Sequence, residues 1–423
     1  MHKHTLPAFL VGILLMLIGL QQAVAMPTFA RKYDMSCTAC HAAFPRLNEF
    51  GAAFAAQNMR LGNWKEASTS KTGDPRLVLP DSVPLALRAQ GYTQFRDDAT
   101  GSDGSTEYDS RLDFQSPYLI KLLASAPLSD HITFYGYGIM AEKGGNGEFL
   151  IEDAWFSHDD LFGSGAGLML GQFQVSDLMF PRETRLTFQD FMVYRMAGVT
   201  YDRGLILDRG FGPVEFAVGA VNGNGVSTSA SVSSPGYRRS DALFDNDSSK
   251  SIFARVGTEI GGVSIGLFGL TGRERFDGTL LGTDYVENDW DSEKRIAGLD
   301  LSGKVGYNLY WFFQGLVNEW DDVLERDKTY QWNGMFLGVD YIHSPEWAWS
   351  ALYNRTDAGD LDGTGTIYNG IDMNSLTLAA SYYFMTNVKL VLESNIDMLD
   401  TDHETNGHNG TDSYVLLGFD AAF

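Results

Sequence analysis

The sequence predicts a mainly β protein: an outer-membrane antiparallel β-barrel of about sixteen strands, preceded by a small α-helical module. Three observations carry this. Apolar and polar side chains alternate with a period of two through most of the chain after Val83. The connections between these runs alternate short and long. Beyond the extreme N-terminus, no run approaches the roughly 18 apolar residues of a spanning helix.

Composition narrows the class further. The 423 residues carry 54 acidic and 31 basic side chains, net −23, and a nucleic-acid binder needs the opposite balance. Aromatics at 13% with only 12 prolines do not describe a disordered chain. Two cysteines are too few for a disulfide scaffold.

Residues 1–25 read as a signal peptide. Lys3 supplies a basic start, Leu6 to Leu20 an apolar stretch, and Ala23-Val24-Ala25 a small-x-small cleavage site. The chain is therefore expected to be exported. Residues 26–80 form the expected helical module and residues 81–423 the barrel.

Within the module, Cys37-Thr38-Ala39-Cys40-His41 is C-x-x-C-H, the attachment motif of c-type haem. Two thiols three positions apart reach the two vinyl groups of one porphyrin, and the adjacent imidazole becomes an iron ligand. A thioredoxin-like site would need a βαβ context, and a structural zinc site would need two more ligands nearby. Neither is present in the sequence around the motif. One covalent haem c held by Cys37, Cys40 and His41 is the expectation. The stretch Ala42 to Leu61 is expected to be helical, with Phe44, Leu47, Phe50, Phe54 and Ala55 on one side. Met59 is the candidate thioether ligand on the far side of the iron, with core packing as its ordinary alternative; a five-coordinate iron or a ligand from the barrel domain is equally open. Some fifty residues are marginal for enclosing a macrocycle, so the module is expected to lean on another surface.

The expected strands are 84–97, 110–125, 131–142, 148–159, 165–173, 191–202, 212–221, 251–261, 263–272, 294–303, 305–317, 329–343, 347–356, 374–384, 388–397 and 413–423. In the first, Leu85, Leu87, Ala89 and Phe95 alternate with Arg88, Gln90, Gln94 and Arg96. In the last, Val415, Leu417, Phe419, Ala421 and Phe423 share one face, and a terminal Phe resembles the closing signature of outer-membrane barrels. Tight turns such as Gly261-Gly262 face the periplasm in this reading, and the long loops face outside. Trp311, Tyr330, Trp347, Trp349, Tyr382 and Tyr383 are candidates for interfacial girdles. The connection near 174–190 is a candidate inward-folding constriction. Acids concentrate in 273–293, 318–328 and 398–412, the last with His403 and His408. An acidic mouth attracts cations, and His403 with its neighbours is a candidate metal site. Gly163 to Gly167 lacks the Lys-Ser/Thr of a phosphate loop. No hydrolytic arrangement of Ser, His and Asp stands out.

The ordered string Phe29-Ala30-Arg31, Cys37-x-x-Cys40-His41, Phe44-Pro45-x-Leu47-Asn48-x-Phe50-Gly51 resembles the N-terminus of the fused monohaem cytochrome–porins, outer-membrane ferrous-iron oxidases. Lys32-Tyr33-Asp34 stands where such proteins often carry Gln-Thr-Gly. The resemblance implies a haem domain plugging a barrel of about sixteen strands. It implies an oxidoreductase that takes electrons from extracellular Fe(II) and passes them through haem to a periplasmic cytochrome c. It places Arg31 near a haem propionate. A barrel that encloses its own plug in outer-membrane lipid is expected to be a monomer. Two other classes compete: a diffusion porin with a structural or regulatory haem, and outward electron transfer to external metal. An open lumen favours the porin and a plugged lumen the oxidase.

Overall fold

The computed structural model describes residues 28–61, 69–71, 78–80, 84–100, 107–142, 149–181, 184–189, 191–223, 248–277, 287–322, 327–363, 372–385, 387–399 and 413–422. The signal segment, His403, His408 and the tips of the long loops lie outside these residues.

Sixteen strands close into one barrel, every neighbouring pair antiparallel. They are β1 Leu85–Thr100, β2 Glu107–Pro127, β3 Ile132–Glu142, β4 Leu150–His158, β5 Ala166–Gln174 and β6 Tyr201–Phe211. Then come β7 Val214–Val221, β8 Ser251–Ile260, β9 Val263–Asp277, β10 Glu287–Val305 and β11 Leu309–Asp321. The last five are β12 Thr329–Ile342, β13 Trp347–Asp357, β14 Met373–Met385, β15 Val388–Asp397 and β16 Tyr414–Ala422. Closure joins β16 to β1, with Ala421 opposite Ala89 and Val415 opposite Phe95. A closed sheet leaves no unpaired backbone edge, which is what a hydrocarbon surrounding demands.

The alternation predicted from sequence sets the two faces. Leu112, Phe114, Leu170, Ile252, Leu267, Val317, Leu392 and Leu417 are exposed on the outer wall. An apolar surface of this extent around a cylinder is a lipid-facing wall. Trp347, Trp349 and Tyr382 stack together on that wall near the short-turn end, as an interfacial girdle would. Tyr330 and Tyr383 depart from the expected girdle. Tyr330 is fully buried inside the barrel, and Tyr383 donates to a carbonyl of the N-terminal module. Aromatic content alone does not distinguish the two faces when the inside is also dry.

One end of the barrel carries short turns and the other the long loops. At the Gly261-Gly262 turn both residues have positive φ, +60° and +81°, a conformation glycine adopts without penalty. Short turns are periplasmic in such barrels and long loops external. Both chain ends of the sheet, Leu85 and Ala422, lie at the short-turn end.

Three expectations are corrected. The strand expected over 191–202 forms only from Tyr201, where β6 begins: α4, Met192–Met196, occupies part of the stretch before it. The segment from Val175 to Thr200 lies inside the barrel, so its apolar residues face the lumen filling rather than lipid. The helix expected over 42–61 is shorter. His41–Ala43 and Arg46–Leu47 form a small ladder, and the helix runs only from Glu49 to Ala56. Pro45 has no N–H for a helical ladder, and the Asn48 side chain accepts from Gly51 N at 2.9 Å, capping the helix there. Finally, several acids expected in loops extend strands instead. Glu293, Glu319 and Asp321 lie on β10 and β11 and surround Arg295, which reaches them at 2.9, 2.5 and 3.0 Å.

The interior is filled. Along β11 the inward row is Tyr310, Phe312, Gln314, Leu316, Asn318 and Trp320, and from Phe312 to Trp320 all five are buried. Phe336 of β12 lies between Phe191, stacked at 4.2 Å, and Tyr194, edge-on at 5.3 Å. Tyr194 is fully buried and donates to Gln314 at 2.8 Å. On the other side Phe188 N donates to Glu393 at 2.7 Å, and Tyr414 bridges Glu393 and Gln189. The inward connection expected near 174–190 is thus present, and it runs on to residue 200.

Candidate functional site

The site is the N-terminal module at the short-turn mouth. Helix α1 spans Thr28–Tyr33, α2 is the single turn Cys37–Cys40, and α3 spans Glu49–Ala56. Phe54 of α3 packs edge-on against Phe29 at 5.4 Å and Tyr33 at 5.5 Å, a minimal core for the module.

α3 crosses α2 very closely. A Cβ on Gly51 would lie 2.1 Å from the Cys40 carbonyl oxygen, so only glycine fits there. Asn48 ties the same junction: its N–H donates to Cys40 O at 2.9 Å, and its side-chain amide donates to Ala39 O at 2.9 Å. Asn48 and Gly51 therefore shape the C-x-x-C-H turn. The sequence string contains both, but only the folded junction shows what they do.

Cys37 and Cys40 are free thiols, half-buried and one turn apart. Burial pushes both thiols up, and for Cys40 the neighbouring Cys37 adds to it. His41 follows directly. Its Nδ1 faces the Pro45 carbonyl at 3.0 Å, which fixes the tautomer and leaves Nε2 as the donor atom for a metal. Burial lowers the His41 pKa, which favours the neutral imidazole, the form that ligates metals. Two unpaired thiols at this spacing beside an oriented neutral imidazole fit a covalently bound haem c.

The module is tied to the barrel wall by charge. Phe44 O accepts from Tyr383 Oη at 2.7 Å and from Lys389 Nζ at 3.1 Å. Arg88 lies 5.4 Å over the Phe44 ring and binds Asp420 through two hydrogen bonds, 3.0 and 2.8 Å. Arg46 pairs with buried Asp340 and covers the rings of Tyr310 and Phe312. Cys37 Sγ lies 3.1 Å from Asn387 in the β14–β15 turn. Across the mouth, Asn58 bonds to Thr133 and Ser157, and Arg60 pairs with Asp159. None of Tyr383, Asn387 or Lys389 is foreshadowed by spacing, because more than 300 residues separate them from the turn.

Met59 is placed differently from the Cys37–His41 turn. Its side chain packs against the lumen core that contains Phe173, Met179, Phe191 and Trp332. Arg31 lies in α1, with its side chain outside the described atoms. Among the described residues no group of three His, Cys, Asp or Glu could hold a metal ion.

No family model and no curated protein matches this sequence. Its fold is similar to solved outer-membrane barrels. The loop-deleted OmpT of Vibrio cholerae aligns over 80% of this chain and 98% of its own, with TM-score 0.52 and 11% identity. An anion-selective porin from Comamonas acidovorans aligns over 80% and 98%, with TM-score 0.52 and 14% identity. The outer-membrane channel DcaP of Acinetobacter baumannii aligns over 80% and 96%, with TM-score 0.52 and 15% identity. At such identities the likeness is one of fold. The chain has the closed sixteen-strand fold of outer-membrane barrels.

Proposed function

We propose that this barrel holds one haem c at its periplasmic mouth and moves electrons across the outer membrane. Extracellular Fe(II) is the proposed donor and a periplasmic cytochrome c the acceptor. The observation that carries the reading is the Cys37–His41 turn, where two free thiols meet an imidazole whose Nδ1 is engaged by Pro45 O. Cys37 and Cys40 would hold the porphyrin through thioethers, and His41 Nε2 would ligate the iron. Bound there, haem supplies a reversible one-electron carrier whose potential follows axial ligation and burial.

The chain does the rest. Pro45 O keeps the imidazole in one tautomer. Asn48 and Gly51 hold the thiol turn against α3. Tyr383, Lys389 and Arg46 hold the turn against the wall. The inward segment excludes water from the lumen, and dry packing lowers the local dielectric around any buried redox centre. Arg31 is proposed as a propionate partner, and Met59 as an iron ligand that would have to leave its lumen contacts to reach the haem. No proton-transfer residue is needed, because oxidation of Fe(II) removes an electron alone.

The solved porins support a second reading more directly than they support electron transfer. In it the barrel is a diffusion channel, the Val175–Thr200 segment is its constriction, and the haem is structural. The filled lumen favours the first reading: Trp320, Tyr330, Trp332 and Phe336 are at most 1% exposed. One preparation separates them. Protein matured in cells able to attach haem c is expected to give a haem c spectrum, to be reduced on stopped-flow mixing with Fe(II), and to conduct almost no ions in planar bilayers. A preparation without a porphyrin spectrum removes the haem. A haem that Fe(II) leaves oxidised, in a barrel that conducts ions, makes the protein a porin.

A further inference from the structure

On the outer wall, β10 to β13 form a groove of about 650 Å³. Its floor is Gly315, paired with Leu299 on one side and Met335 on the other. Phe313 bounds its lower end. Arg355, opposite Met335 and so two strands across from Gly315, closes it on the β13 side, with Asp357 two residues further toward the long loops. Apart from Asn333, Arg355 and Asp357 the lining side chains are apolar. A side chain at position 315 would fill the groove, and the backbone there tolerates one: a Cβ would lie 3.4 Å from its nearest neighbour, the Phe313 ring.

Arg355 points outward from β13 and is exposed. Among the described residues no hydrogen bond or ion pair engages it. An unpaired guanidinium on a lipid-facing wall is costly unless an anion meets it. Its level explains which anion. Six residues separate it from Trp349 of the short-turn girdle, a rise of about 20 Å along the strand. It therefore lies toward the outer leaflet, where phosphorylated glycolipid replaces ordinary phospholipid.

We propose that this groove is a binding site for one molecule of lipid A, with an acyl chain lying over Gly315 and a phosphate on Arg355. The guanidinium suits phosphate bidentately, and Asp357 accepts from sugar hydroxyls. The site is independent of the haem reading and of what the lumen carries.

The test uses the full barrel extracted in mild detergent from an outer membrane, with bound lipid counted by native mass spectrometry. The wild-type protein is expected to retain one lipid A per barrel. Arg355→Gln is expected to lower that occupancy about tenfold, the loss of one charge-assisted contact. Gly315→Phe is expected to abolish it while the barrel keeps its heat-sensitive gel migration. Should Gly315→Phe fail to close, Arg355→Gln decides alone. Equal occupancy in wild type and Arg355→Gln overturns the proposal. So does retention of glycerophospholipid in place of lipid A. A dimer or trimer that either variant splits overturns it as well, since the groove would then be a contact between copies.

Discussion

The two sides of the lumen are built on different physics. The β11–β12 side meets the inward segment with rings: Phe312, Phe336, Trp320 and Trp332 pack with Phe191, Val193 and Tyr194. The β15–β16–β1 side meets the N-terminal turn with charges: Lys389, Asp420 and Arg88, with Phe44 as their target. Ring packing is strong but non-directional, and it seals. Charged hydrogen bonds are directional, and they orient. The barrel uses the first to pack the inward segment and the second to orient the N-terminal turn.

The largest test of this contrast removes what is aimed. Replacing both Cys37 and Cys40 by Ala is expected to abolish covalent haem completely while the barrel still shows heat-modifiable migration; haem staining of the denatured band reads it. Next comes the charged side. Asp420→Ala leaves Arg88 and Lys389 without their shared partner, a loss on the order of 4 kcal/mol. Chemical denaturation from micelles measures it, and Asp420→Asn should recover part of the loss. On the sealing side, Phe336→Ala is expected to cost about 3 kcal/mol and, unlike Asp420→Ala, to raise single-channel conductance. If Phe336→Ala leaves the bilayer silent while Asp420→Ala opens it, the division of labour is reversed. The smallest effect belongs to Asn48→Ala, where loss of one helix cap is worth about 1 kcal/mol. Because Asn48 also bonds Ala39 O, that variant is expected to shift the haem absorbance spectrum as well as the midpoint of unfolding.

Much of the barrel is legible in the sequence because lipid outside and paired backbone throughout enforce a period of two. The pattern deceives only where that contrast vanishes. Residues 191–202 alternate like a strand, yet they sit inside a dry lumen where apolar residues are equally at home. Tyr330 misleads for the same reason. The C-x-x-C-H turn is legible because its chemistry is local, with two thiols and an imidazole within five positions. Its supports are not. Pro45 O acts through the backbone, which carries no residue signature. Tyr383 and Lys389 act from the far end of the chain, brought close only by closure of the sheet. The acids of β10 and β11 look like loop charge because strand length cannot be read where polar residues continue an apolar run.

That far-end contact makes the seat of the N-terminal turn a product of barrel closure. Phe44 is seated by side chains from β14 and β15, among the last parts of the polypeptide to be made. Without the final hairpin in the sheet, neither Phe44 nor Cys37 has its seat. With it in place, the thiols lie half-buried against the Asn387 turn. The turn therefore takes its final position only when the barrel closes, although its residues stand near the start of the chain.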